Sequence, residues 1–232
     1  MKTDLMTHPN TDPRNSISDK RRKYEITAVL LTGIGKLVFM DLLQWKLPFI
    51  IISMAGWSAY VIYRNRNVAG ILSYWGFRTD NFREVTQRIL PFGIVSVIAF
   101  FVVGYQRDTI NLSWHIIPIL ILYPIWGTIQ QFLVIGLVAG NLQDLKENRL
   151  NEFTIIALTA ILFGLVHYPY YWLMAGTFIL ALLYGFIYLK GRNVYVMGLF
   201  HGWLGGLFFY TVVGRDPFAE VFGKLLHESI AF

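Results

Sequence analysis

The strongest constraint on this chain is a succession of apolar runs about twenty residues long, the length a helix needs to cross a bilayer core. Inside lipid each backbone N–H and C=O must be satisfied within its own segment, so such runs are helical. Read in order, they place seven spans near residues 25–43, 47–63, 89–105, 114–138, 153–167, 173–189 and 194–213, with six to eight allowed. The expected fold class is all-α, a polytopic transmembrane helical bundle. Composition agrees: 15% of residues are charged, against about 25% in an ordinary soluble domain.

Cysteine is absent, which excludes disulfides, a thiolate nucleophile and a cysteine-based zinc site. The chain is basic, but in a membrane protein the placement of Lys and Arg matters more than their total, and no nucleic-acid partner is expected. With the N-terminus on the inner side, fifteen of the twenty Lys and Arg residues fall inside and four outside. This bias predicts a cytoplasmic N-terminus. No cleavable signal peptide is evident.

The expected organisation is a flexible tail over 1–24, one membrane-embedded domain over 25–213, and a short C-terminal tail over 214–232 that lies on the surface as an amphipathic helix. The first tail ends in the basic cluster Lys20, Arg21, Arg22 and Lys23, a topology anchor with a secondary role at anionic lipid heads. Lys36, inside the first span, is expected to pair within the bundle. The connector over 64–88 carries Tyr74 and Trp75, which suit the headgroup level.

The informative residues are polar ones in apolar surroundings. Gln130 and Gln131 lie side by side in YPIWGTIQQFLVIGLVAG, and a primary amide in hydrocarbon costs several kcal/mol, of the order of 4, without a partner. Spans four to seven contain no Asp or Glu; they carry the two amides, His167, His201, and His115 at the outer start of span four. Phe163 and His167 stand four apart and share a helix face. His201 lies beside Gly202, Gly205 and Gly206, where helices can approach closely. The depths disagree, however. At about 1.5 Å per residue, Gln130 and His201 lie roughly 10–12 Å from the inner ends of their spans, whereas His167 lies about 21 Å in.

These residues resemble the motifs of the CAAX protease and bacteriocin-processing (CPBP) family, which includes the type II CAAX prenyl endopeptidases and bacterial self-immunity proteins. The family's first motif is Glu-Glu-x-x-x-Arg, often followed by glycine; here QQFLVIG stands there, with Gln130 and Gln131 at the acids, Ile135 at the arginine and Gly136 at the glycine. Phe163 and His167 fit the second motif, Phe-x-x-x-His. His201 fits the third, His-x-x-x-Asn or Asp, with Gly205 at its last position. The similarity covers about residues 123–206.

The resemblance implies an integral membrane endopeptidase that hydrolyses a hydrophobic or lipidated peptide within the bilayer, in a bacterial inner membrane. The family's glutamate activates water, its histidines assist, and its asparagine donates to the oxyanion. Carried over residue by residue, the candidate catalytic set is His167, His201, Gln130 and Gln131. An amide cannot take a proton from water; loss of a general base costs about 10²–10⁴-fold. Two histidines without a carboxylate also fall short of the usual three protein ligands of a catalytic zinc, so no cofactor is expected.

Two readings follow. In one, the chain is a working peptidase in which His167 or His201 is the base and an amide holds the carbonyl oxygen. In the other it is an inactive relative, a membrane binding or scaffold protein that keeps the cavity. A transporter has less support, because the spans lack acid pairs and a half-chain repeat.

Overall fold

The computed structural model describes residues 13–147 and 150–230. The described chain is helical throughout. A single turn, α1 (Pro13–Ser16), precedes α2 (Asp19–Gly35), which continues as a π-helical stretch, Lys36–Leu42. Then follow α3 (Lys46–Asn67), the short α4 (Ile71–Trp75), α5 (Phe82–Gln106) and α6 (Ile116–Gln131). The last of these runs on through π-helical Phe132–Ala139 into α7 (Gly140–Asp144). The chain closes with α8 (Glu152–Leu165), α9 (Tyr171–Lys190), α10 (Val194–Phe208) with π-helical Phe209–Val213, and α11 (Pro217–Ile230).

Five segments are long and apolar enough to cross a membrane: Lys46–Asn67, Phe82–Gln106, Ile116–Asp144, Tyr171–Lys190 and Val194–Val213. The run from Asp19 and the shorter apolar α8 occupy the places of the first and fifth spans. The molecule is an all-α polytopic bundle of a multi-pass membrane protein.

The α6–α7 run is the central post. Every residue from Phe132 to Gly140 is buried, which explains why this stretch is apolar on all sides. α10 lies directly against α6, and the reason is in its glycines. A Cβ on Gly127 would sit 2.7 Å from the Gly198 carbonyl oxygen, and one on Gly198 or Gly202 would collide with Thr128 or with the backbone at Tyr123 and Pro124. Helix backbones in lipid reach this proximity only where side chains are absent. α8 and α9 form an antiparallel hairpin on another side of the post.

Several expectations are corrected. The first helix begins at Asp19, not near residue 25, so the basic cluster belongs to it rather than to a flexible tail; Ser18 Oγ caps it by accepting from the Arg21 N–H. Residues 1–12 of the expected tail lie outside the described residues. Trp75 does not face lipid headgroups as a surface anchor would. It is 1% exposed and packs edge-on against Phe132, ring centroids 5.1 Å apart. The connector folds inward because the polar start of α10 needs covering: Val194 N–H donates to the Gly76 carbonyl at 2.9 Å, and Asn193 Nδ2 donates to Arg78 O and Asn81 Oδ1.

Among the described residues, the Asp144 end of the bundle holds a buried ionic cluster. Arg22, 1% exposed, donates to Tyr74 Oη at 2.5 Å, Asn141 Oδ1 at 3.2 Å and the Arg14 carbonyl at 2.8 Å. Asp144 pairs with Arg192 at 2.7 Å and accepts from Tyr74 Oη at 2.6 Å. Glu25 accepts from Asn141 Nδ2 at 2.7 Å and from Tyr60. The cluster ties α2, α3, α4, α7 and the α9–α10 turn together.

At the opposite end Asp216 docks α11. Burial works against its charge, yet His115, the Ala219 N–H and Tyr210 hydrogen-bond it and hold its carboxyl below the usual range. A folded value below the unfolded one gives stability that is present at neutral pH and lost as pH falls through the folded value. An acid titration followed by Trp114 fluorescence should therefore show release of α11 below about pH 4, the ordinary aspartate range, since Trp114 packs on Phe218. Asp216→Asn should remove that transition.

Candidate functional site

The site is assembled from α2, α6, α8 and α10. Gln131, fully buried, meets His201 across the α6–α10 contact, its Nε2 lying 2.8 Å from His201 Nδ1. The glycine stripe sets this distance, because it brings the two backbones together one turn away. With the amide N–H donating, His201 Nδ1 is the acceptor and its proton sits on Nε2. Gln131 Oε1 stays buried without a hydrogen-bond partner.

His167 follows the end of α8. Its Nδ1 is 2.8 Å from the Phe163 carbonyl, which can only accept, so the proton is on Nδ1 and Nε2 keeps a free lone pair. The Phe163 ring stands between the two histidines, with centroids 5.0 Å from His167 and 5.5 Å from His201. Phe163 thus fixes one histidine through its backbone and packs against both through its ring.

Gln130, Phe163 and His167 line one cavity of about 80 Å³. Its remaining wall is largely apolar, contributed by Val29, Thr32, Gly33 and Phe49 from the first hairpin and by Trp126, Leu133 and Val134 from the central post. Its one charged lining residue is Lys36, which pairs with Asp41 at 2.6 Å and lies 3.5 Å from the Tyr168 carbonyl. The intrabundle pair expected for Lys36 is this one. The i to i+5 spacing suits the π-helical turn that carries both residues.

The four sequence-selected residues therefore gather, in two connected halves. Gln130 and His167 face the cavity; Gln131 and His201 are bonded to each other behind Phe163. The mismatch in depth disappears as well. The fourth span continues to Asp144, which puts Gln130 fourteen residues, about 21 Å, from its end. His167 is fifteen residues, about 22 Å, past Glu152. His201 joins them through its 2.8 Å contact with Gln131 across the glycine-lined α6–α10 seam.

Sequence reasoning missed Lys36 and the wall supplied by α2. A lone cation in an apolar run was the available signal, but nothing local showed that it lines the same cavity as His167. Among the described residues no group of three or more His, Cys, Asp and Glu side chains gathers at metal-binding spacing.

A family model described as type II CAAX prenyl endopeptidase Rce1-like matches residues 74–205. The chain belongs to this family. The match covers more than half of the chain and contains Gln130, Gln131, Phe163, His167, His201 and Gly205. Comparison with curated proteins finds no match, and comparison with solved structures finds none. Within the Rce1-like frame, amides stand where the family motif has acids, and Gly205 is open: a Cβ there would meet nothing within 4 Å.

Proposed function

We propose that this Rce1-like membrane protein binds a hydrophobic or lipidated peptide in the cavity between α2, α6 and α8 and hydrolyses it slowly, with His167 as general base. The observation that carries this reading is the tautomer of His167. Its Nδ1–H is engaged by Phe163 O, so the Nε2 lone pair is available beside Gln130 in the cavity that both line. Nε2 takes the proton of the attacking water and returns it to the leaving amine. The Gln130 amide, a donor that carries no negative charge, is suited to the developing oxyanion. Gln131 and His201 hold Phe163 and α10 in register. No cofactor enters this scheme, and the N-terminal, basic end of the bundle faces the cytoplasm of a bacterial cell.

A second reading, an inactive binding protein, is favoured by one specific feature. Gln131 occupies His201 Nδ1, so of the two site histidines His167 alone keeps a lone pair free. The two readings separate in one experiment. Detergent-purified protein is incubated with fluorogenic apolar peptides, prenylated and not, while Trp126 fluorescence reports occupancy of the cavity that Trp126 lines. Cleavage is expected, falling about 10²–10⁴-fold in His167→Ala. Binding without cleavage supports the inactive relative. Neither binding nor cleavage by the wild-type protein would overturn both.

A further inference from the structure

Arg64, near the C-terminal end of α3, is unusual among the described cations. Its side chain is only 9% exposed, yet among the described residues its guanidinium makes no hydrogen bond, and its Nε is buried without a partner. Its nearest anion, Glu25, is 3.9 Å away and already accepts from Tyr60 and from Asn141 Nδ2, so its two oxygens are engaged elsewhere. A guanidinium has five N–H donors and cannot shed its charge. The Nε of Arg64 is buried without a partner, while its Nη groups are not enclosed and can meet an acceptor from outside the chain.

The position of Arg64 identifies that acceptor. It lies eighteen residues from Lys46, about 27 Å along α3, close to the thickness of a hydrocarbon core. Lys46 pairs with Glu220 at the Asp216 end, so Arg64 stands at the opposite headgroup level. Arg21 is four residues before Glu25 and shares its face of α2. Arg64 and, by its helix spacing, Arg21 thus lie on the side of a carboxylate whose two oxygens each already accept a hydrogen bond. We infer that Arg64, flanked by Arg21, forms a site for the phosphate of an anionic phospholipid headgroup. The planar fork of Arg64 matches two phosphate oxygens, and Arg21 supplies the second charge.

The test uses the full chain purified in detergent, with binding of phosphatidylglycerol, phosphatidylcholine and inorganic phosphate compared by native mass spectrometry. Phosphatidylglycerol is expected to be retained in preference to phosphatidylcholine. Arg64→Gln should weaken it about tenfold or more, as for loss of a charge-assisted hydrogen bond. Arg66→Gln, at an exposed neighbour on the same helix end, should leave it unchanged. If Arg64→Gln fails to fold, Arg21→Gln and Arg64→Lys provide the same comparison, each weakening retention. Equal retention by the Arg64 or Arg21 variants and by Arg66→Gln would overturn the site. Retention of inorganic phosphate as strong as that of the lipid would overturn its assignment to a headgroup.

Discussion

Gly202→Val should break the protein apart at its tightest seam. Even a Cβ at Gly202 would collide with the backbone at Tyr123 and Pro124, and backbone cannot swing aside as a side chain can. Overpacking a well-packed interface costs typically about 1–3 kcal/mol, and more where the obstacle is rigid. The expected result is a loss of more than about 3 kcal/mol, from that upper range, with separation of α6 from α10. Gly205→Ala is the control, one turn on and facing open space. Replacing a mid-helix glycine without a clash should stabilise by about 0.4–1 kcal/mol. Thermal unfolding in detergent compares the two, and opposite signs are expected. Similar losses for both would show that the seam is not where α6 and α10 are held.

Asp144→Ala should have an effect of the same order at the other end of the bundle. Asp144 neutralises Arg192 at 2.7 Å, lies 3.8 Å from Arg22, and accepts a hydrogen bond from the Tyr74 hydroxyl at 2.6 Å. Its removal leaves buried arginines short of an anion, a change that costs about 3–5 kcal/mol. Glu147→Ala is the matched control. Its pair with Lys23 is exposed on both sides, and such pairs contribute about 0–1 kcal/mol. Midpoints of denaturation should fall steeply for the first variant and hardly at all for the second. If Asp144→Ala unfolds like Glu147→Ala, the cluster is not what joins α2 to the core.

The members of the candidate site were legible in the sequence. The order of amide pair, Phe163–His167 and His201 named the residues and the family frame, because polar groups in apolar runs stand out against a uniform background. What was hidden in the sequence was long-range. Arg22 in KRRK looks like any solvated charge run; only the arrival of Asn141, 119 positions later, makes it a buried hub. Trp75 in a basic connector has the composition of a headgroup anchor, yet it is drawn inward by Phe132 and by the need to cover the start of α10. Local pattern measures affinity for an environment and carries no information about which distant segment provides it.

The sequence by itself determined that the chain is a helical membrane bundle, since lipid allows no other backbone solution for runs of this length. It also determined that residues 114–138, 153–167, 173–189 and 194–213 contain no Asp or Glu, and that amides stand where the family motif has acids. The tertiary structure decided which atoms are available for chemistry. Phe163 O fixes the proton of His167 on Nδ1, Gln131 occupies Nδ1 of His201, and α2 brings Lys36 to the same cavity. The Gln131–His201 bond exists because the glycine-faced α6 and α10 pack closely, whereas the His167–Phe163 bond is made locally at the end of α8.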